Sequence, residues 1–164
     1  MTLSVTTERN DARLPNADLA LFDAPDAQPS GTLLYPSDQT VFARGLLAPE
    51  LMWSGGAAGD GYRVRLAERD FTATLYVAAD PPSDAPVPQD IWDALTQSNQ
   101  GDPVTLDVER LSGGAAHAAM HQSWTIAPGS LRGAITYWAV NQGQLMKISP
   151  GARAPAALFS SGAS

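Results

Sequence analysis

Between Thr32 and Val77 the chain is a succession of short alternating runs, TLLYPSDQTVF, LAPELMWS, YRVRLAE and FTATLYVA, each cut off by Pro, Gly or Asp. Alternation at period two suits a half-buried strand, and breaks this frequent leave no room for long helices. Strands are expected at 32–35, 48–53, 61–67, 72–78, 103–110 and 119–126. The turns fall at SGGAAGDG (54–61), DPPSDAP (80–86), QGDP (100–103) and LSGGAA (111–116). One segment keeps a different period: QDIWDALTQS (89–98) follows Pro88, sets Ile91, Trp92 and Leu95 on one face and stops before Asn99 and Gly101, which predicts a helix.

A Pro-flanked first run, a second run ending in Trp53 and a third opening on Tyr62 is how an immunoglobulin- or fibronectin-III-like sandwich begins. The expected fold class is therefore all-β: an antiparallel β-sandwich of that type with one short helix (89–98) and a C-terminal β-hairpin. The hairpin is read from Ala134 to Val140 and Gln144 to Ser149, joined by Asn141-Gln142-Gly143. Trp53 and Trp92 sit in apolar-patterned surroundings and are core candidates.

Four regions follow. Residues 1–31 form an N-terminal arm, 32–128 the sandwich, 129–159 the C-terminal hairpin extension and 160–164 a linker-like tail. Thr2 to Thr7 alternate weakly like a strand, and Pro15, Pro25 and Pro29 then punctuate a short apolar patch of Leu19, Leu21 and Phe22. Such an arm is either a flexible terminus or an added strand that docks through those apolar side chains.

At 164 residues the chain is about one domain, and 44% hydrophobic against 16% charged residues excludes a charge-solvated disordered chain. A net charge of −7 repels phosphate backbones and anionic headgroups, so neither nucleic acid nor a membrane surface is an expected partner. No run of eighteen apolar residues and no basic, then apolar, leader is present, so neither membrane insertion nor a signal peptide is read in this chain. There is no cysteine, hence no disulfide, thiolate metal site or Cys nucleophile.

Several motifs then call up a family. YPSDQTVF, LLAPELMW, the helix with DIWDAL, VTLDVERLSGG, SWTIAPGSLRGAITYWA and LMKISPGARAPAALF, in that order, resemble the N-terminal Ig-like sandwich region of large exported bacterial proteins that continue into a TolB-like (PD40) β-propeller. The likeness covers about residues 32–159. It implies a sandwich, an exported (periplasmic or cell-surface) setting, and a segment at 133–149 that joins or abuts a first propeller blade. In that family the run matching Pro150–Phe159 leads to a Cys-x-x-Cys-His stretch, which this chain lacks. The resemblance transfers no catalytic residue.

The chemistry read from the residues is sparse. His117 and His121 are four apart, which on a helix would suit a metal; in a strand their side chains stand about 13 Å apart, so they are read as surface or turn histidines. Asp60, Asp70, Asp80, Asp84, Asp90 and Asp93 could gather at one end of the sandwich around calcium, yet no EF-hand pattern appears and turn chemistry accounts for them. No Gly-x-Ser-x-Gly elbow, G-x-G-x-x-G or Walker loop is present. The expectation is a protein that is not an enzyme, with no catalytic, cofactor-binding or metal residues and no cofactor.

What remains is surface. Leu19, Leu21, Phe22, Tyr137 and Trp138 are the candidate interface residues; Tyr137 and Trp138 are adjacent on a strand, so one is expected to be buried and the other to face outward. The leading reading is a non-catalytic structural, spacer or docking module whose partner is protein, either a copy of itself or an attached propeller. One alternative is a self-assembling, filament-like homo-oligomer joined through the N-terminal arm. Another is a carbohydrate-binding module with Trp138 or Trp124 as the stacking platform.

Overall fold

The structure is a computed structural model that describes residues 4–130 and 132–160, the last two by backbone alone. In chain order the strands are β1 (Val5–Asn10), β2 (Asp26–Pro29), β3 (Thr32–Tyr35), β4 (Val41–Arg44), β5 (Glu50–Ser54), β6 (Gly61–Ala67), β7 (Phe71–Ala78), β8 (Ser83–Pro86), β9 (Val104–Ser112), β10 (Ala115–Ala118), β11 (Met120–Ser130), β12 (Ile135–Ala139), β13 (Gln144–Ile148) and β14 (Ala156–Ser160). Two short α-helices, α1 (Asn16–Leu19) and α2 (Gln89–Ser98), interrupt them. The tail at 161–164 and the first part of the Thr2–Thr7 run lie outside the described residues.

Two sheets face each other. The larger runs β1-β7-β6-β9-β11-β4, with β10 and β2 continuing beside β9 beyond the start of β11. The smaller is β3-β5-β8. The chain crosses between sheets from β5 to β6, from β7 to β8 and, through α2, from β8 to β9, while β6–β7 and β9–β10 are hairpins. That connectivity is the immunoglobulin-type sandwich expected from the sequence. Its central ladders are antiparallel, and three parallel pairings are added at the margins: β1 on β7, β4 on β11 and β2 on β10.

Alternation explains the core. On β6, Tyr62, Val64 and Leu66 point inward; on β9, Val104, Leu106 and Val108 do the same, and Leu51 and Trp53 answer them from β5. Trp53 packs edge-on to Tyr62 with ring centroids 4.8 Å apart. Helix α2 closes the opposite end. Its apolar face brings Ile91, Trp92 and Leu95 onto the sandwich, where Trp92 meets Phe42 at 4.9 Å and Trp124 at 6.5 Å. The helix ends where Asn99 turns its side chain into the next loop, donating to the Asp102 carbonyl and accepting from the Gly101 N–H.

The N-terminal arm is part of this body. Val5–Asn10 runs parallel to Phe71–Tyr76 as the outermost strand, and Phe22 is 1% exposed, packed with Tyr76, Leu111 and Ala116 against the outer face of the larger sheet. Arg63 fixes the crossing: its guanidinium donates to Glu109 at 2.5 and 2.9 Å and to the Phe22 carbonyl at 2.8 Å. The C-terminal unit has one strand more than the expected hairpin, because β14 pairs with β13 to make a three-stranded antiparallel meander.

Candidate functional site

The β12-β13-β14 sheet carries the most exposed aromatic of the four tryptophans. Trp53, Trp92 and Trp124 are all 2% exposed or less, whereas Trp138 is 57% exposed and its neighbour Tyr137 38%. The expectation that one of this adjacent pair is buried does not hold. Alternation does send them to opposite faces, but neither face of this sheet has a layer behind it among the described residues. One side carries the cross-strand pairs Ile135–Ile148 and Tyr137–Met146, the other the apolar pair Trp138–Leu145 beside the polar pair Thr136–Lys147. A sheet with large apolar side chains on both sides and no layer against either is an unfinished packing unit. Its backbone tie to the sandwich is the Gly151 N–H, which donates to the Gly45 carbonyl at 3.1 Å.

The arm residues proposed as interface are placed differently. Phe22 lies inside the chain's own packing, and Leu19 and Leu21 are partly buried against the same cluster. Their apolar character is explained by that contact. The loop aspartates also have local partners: Asp60 accepts from the Ala57 N–H, Asp80 from the Gly59 N–H, Asp93 from Gln89, and Asp90 pairs with Arg9. Among the described residues no group of three or more His, Asp or Glu side chains is arranged to hold a metal.

The histidines separate. His121 is exposed beside Asp107, at 2.7 Å. His117 is not a surface residue: it is 5% exposed and clamped between two partners, Nδ1 at 2.9 Å from the Asp26 Oδ1 and Nε2 at 2.9 Å from the Ser112 Oγ. The topology makes this series. β9 and β10 are joined by Gly113-Gly114, both with positive φ (59° and 79°) as a two-residue turn of this hand requires, and Ala115 pairs with Ser112. His117 then lies on the same face of the hairpin as Ser112, and the parallel β2 sets Asp26 directly opposite His117.

The polarity of the series follows from its acceptor end. The Asp26 carboxylate also accepts the Gln28 N–H at 2.9 Å. The His117 hydrogen bond, then that backbone bond, hold its pKa below the ordinary carboxylate value. A carboxylate can only accept, so Nδ1 carries the proton of the neutral ring. Nε2 then offers its lone pair to the Ser112 hydroxyl. The sequence hides this arrangement because Asp26 is 91 residues from His117 and reaches it only through a parallel pairing.

Ser112 is half-buried and, with Gly113 and Gly114, forms one wall of a concavity of about 370 Å³ whose other walls include Leu14, Asp18, Gly59 and Asp60. No family model, curated protein or solved structure matches this chain.

Proposed function

We propose that the protein is a structural docking module, a sandwich that presents its C-terminal sheet to a β-propeller-type partner, attached or separate, in an exported (periplasmic or cell-surface) setting. The observation that carries this reading is that β12-β13-β14 holds large apolar side chains on both of its faces. A propeller blade is an antiparallel meander whose two faces both pack against neighbouring blades. This three-stranded meander, with Ile135, Tyr137, Met146 and Ile148 on one face and Trp138 and Leu145 on the other beside Thr136 and Lys147, resembles such a blade in carrying large apolar side chains on both faces, and among the described residues neither face has a neighbouring sheet. The exported setting rests on the resemblance of the motifs in residues 32–159.

The alternatives have less support. A filament joined through the N-terminal arm needs that arm free, and here β1 is spent on the edge of β7 of its own chain. Carbohydrate stacking on Trp124 is blocked by its burial, which leaves Trp138 as the platform for that reading.

The test is site-specific photocrosslinking in the native cell, with p-benzoylphenylalanine replacing Trp138, and replacing Thr74 on the polar face of the larger sheet as control. The expected product is an adduct at position 138 with a propeller-type β domain, in the same polypeptide or another. Labelling at 138 no stronger than at 74 would overturn the reading. Adducts only between copies of the chain would favour self-assembly, and suppression by added oligosaccharide would favour carbohydrate binding.

A further inference from the structure

We infer that Ser112 is an acyl-accepting nucleophile, with His117 as its general base and Asp26 as the group that orients His117, acting on esters of small neutral or cationic alcohols. This goes beyond docking and is independent of it: Ser112 precedes the start of β11, while the C-terminal sheet follows its other end, so the two lie at opposite ends of an eleven-residue strand.

Three features point the same way. The hydrogen-bonded series has the lengths and the sense that general-base activation of a hydroxyl needs, Oγ to Nε2 at 2.9 Å and Nδ1 to carboxylate at 2.9 Å. His117 is held without freedom to turn, being buried and partnered on both nitrogens. The backbone just past Ser112 is open. Neither Gly113 nor Gly114 has another group within 4 Å of where a Cβ would stand, and the N–H following a nucleophile is a recurrent donor to an acyl oxyanion. Arg110 on β9 is engaged with the Gly55 carbonyl and lies 3.9 Å from Asp60, and the ion-pair partner of Asp26 among the described residues is His117. The walls of the concavity carry Asp18 and Asp60 and no basic side chain, which disfavours anionic substrates.

The chemistry balances without a co-reactant other than water. The Ser112 Oγ bonds to the ester carbonyl carbon as its proton passes to His117 Nε2. The tetrahedral adduct collapses, the bond to the alcohol oxygen breaks, and that oxygen leaves with the proton from Nε2. Water then attacks the acyl-serine, gives a proton to Nε2 and releases the carboxylic acid, and the proton returns to Ser112.

The test treats the full chain with a fluorophosphonate probe across pH 5–9 and maps the adduct by mass. The expected result is one adduct, on Ser112, forming faster with rising pH as general-base activation requires, and slowed about 100-fold or more in Asp26→Asn, whose amide can donate to the ring and reverse its tautomer. Circular dichroism checks that each variant is folded. Because the chain has no cysteine, Ser112→Cys supplies a second readout through a single thiol. Its alkylation by iodoacetamide should show a midpoint well below that of an ordinary thiol, and should return to the ordinary range when His117→Gln is added. Absence of labelling at Ser112, or an unshifted thiol at 112, would overturn the inference and leave the Asp26–His117–Ser112 series as a clasp for β2. Neither outcome bears on crosslinking at Trp138.

Discussion

Individual side chains divide into those whose role is written in their immediate neighbours and those whose role depends on distant ones. Trp53 and Trp92 belong to the first kind, since apolar alternation and helical spacing mark both as core and both are buried. His117 and Phe22 belong to the second, because each is covered by a segment that arrives from elsewhere in the chain. Glu50 is a third case, a charge whose cost is visible only in three dimensions. On the smaller sheet its diagonal neighbour Asp84, two register positions away across the β5–β8 pair, raises its pKa, first through a shared hydrogen bond, and burial adds more weakly to the shift. A carboxyl with a raised folded-state pKa opposes folding once pH climbs above the ordinary glutamate value, and is neutral below it. Glu50→Gln should therefore stabilise the protein at pH 7 by about 0.5 kcal/mol, the scale of a like-charge cross-strand contact, and change nothing at pH 3. Asp26, Asp38 and Asp90 act in the opposite sense. Held low chiefly by His117, by the Ser123 N–H and by Arg9 respectively, they contribute stability above the ordinary aspartate value that fades as acid protonates them. Urea melts of wild type and Glu50→Gln at the two pH values check the sign.

At the scale of elements, locality decides what could be read. The strands at 32–35 and 61–67 and the helix at 89–98 stand at their expected residues, since period, flanking Pro or Gly and length are all local signals. The marginal strands β1, β2 and β4 are stabilised by parallel pairing with partners far away in sequence, a contact that no window of residues contains. Strand β14 was hidden for a different reason: its antiparallel partner β13 is close in sequence, but its Ala- and Pro-rich run shows no period-two alternation. The arm shows the energetic consequence. Phe22 is as buried as Leu51 in the main core and meets Tyr76 at 5.8 Å between ring centroids. Phe22→Ala should cost about 3–5 kcal/mol in a single cooperative urea transition, as removal of a core aromatic does. Two separate transitions, the first belonging to residues 4–31, would show instead that the arm is an independent unit laid over a finished sandwich.

For the whole molecule the question is which parts share one cooperative core. The sandwich, the helix and the arm interlock through buried side chains on both faces of the larger sheet. The C-terminal meander shares almost none of that burial: its strand β12 is exposed for four of its five residues, and the segment between β13 and β14 meets the sandwich at the Gly151 N–H to Gly45 carbonyl bond. Its apolar pairs therefore add little to the stability of the sandwich and leave apolar surface exposed among the described residues, Trp138 above all. A chain ending at residue 131 should unfold within about 0.5 kcal/mol of the full chain, the scale of surface changes, and should bind markedly less of an apolar dye such as ANS. Loss of several kcal/mol on the same truncation would place the meander inside the core and remove the physical reason for expecting a propeller against it. Unchanged stability with lost dye binding would mean that the sandwich folds for itself and carries the meander for something else.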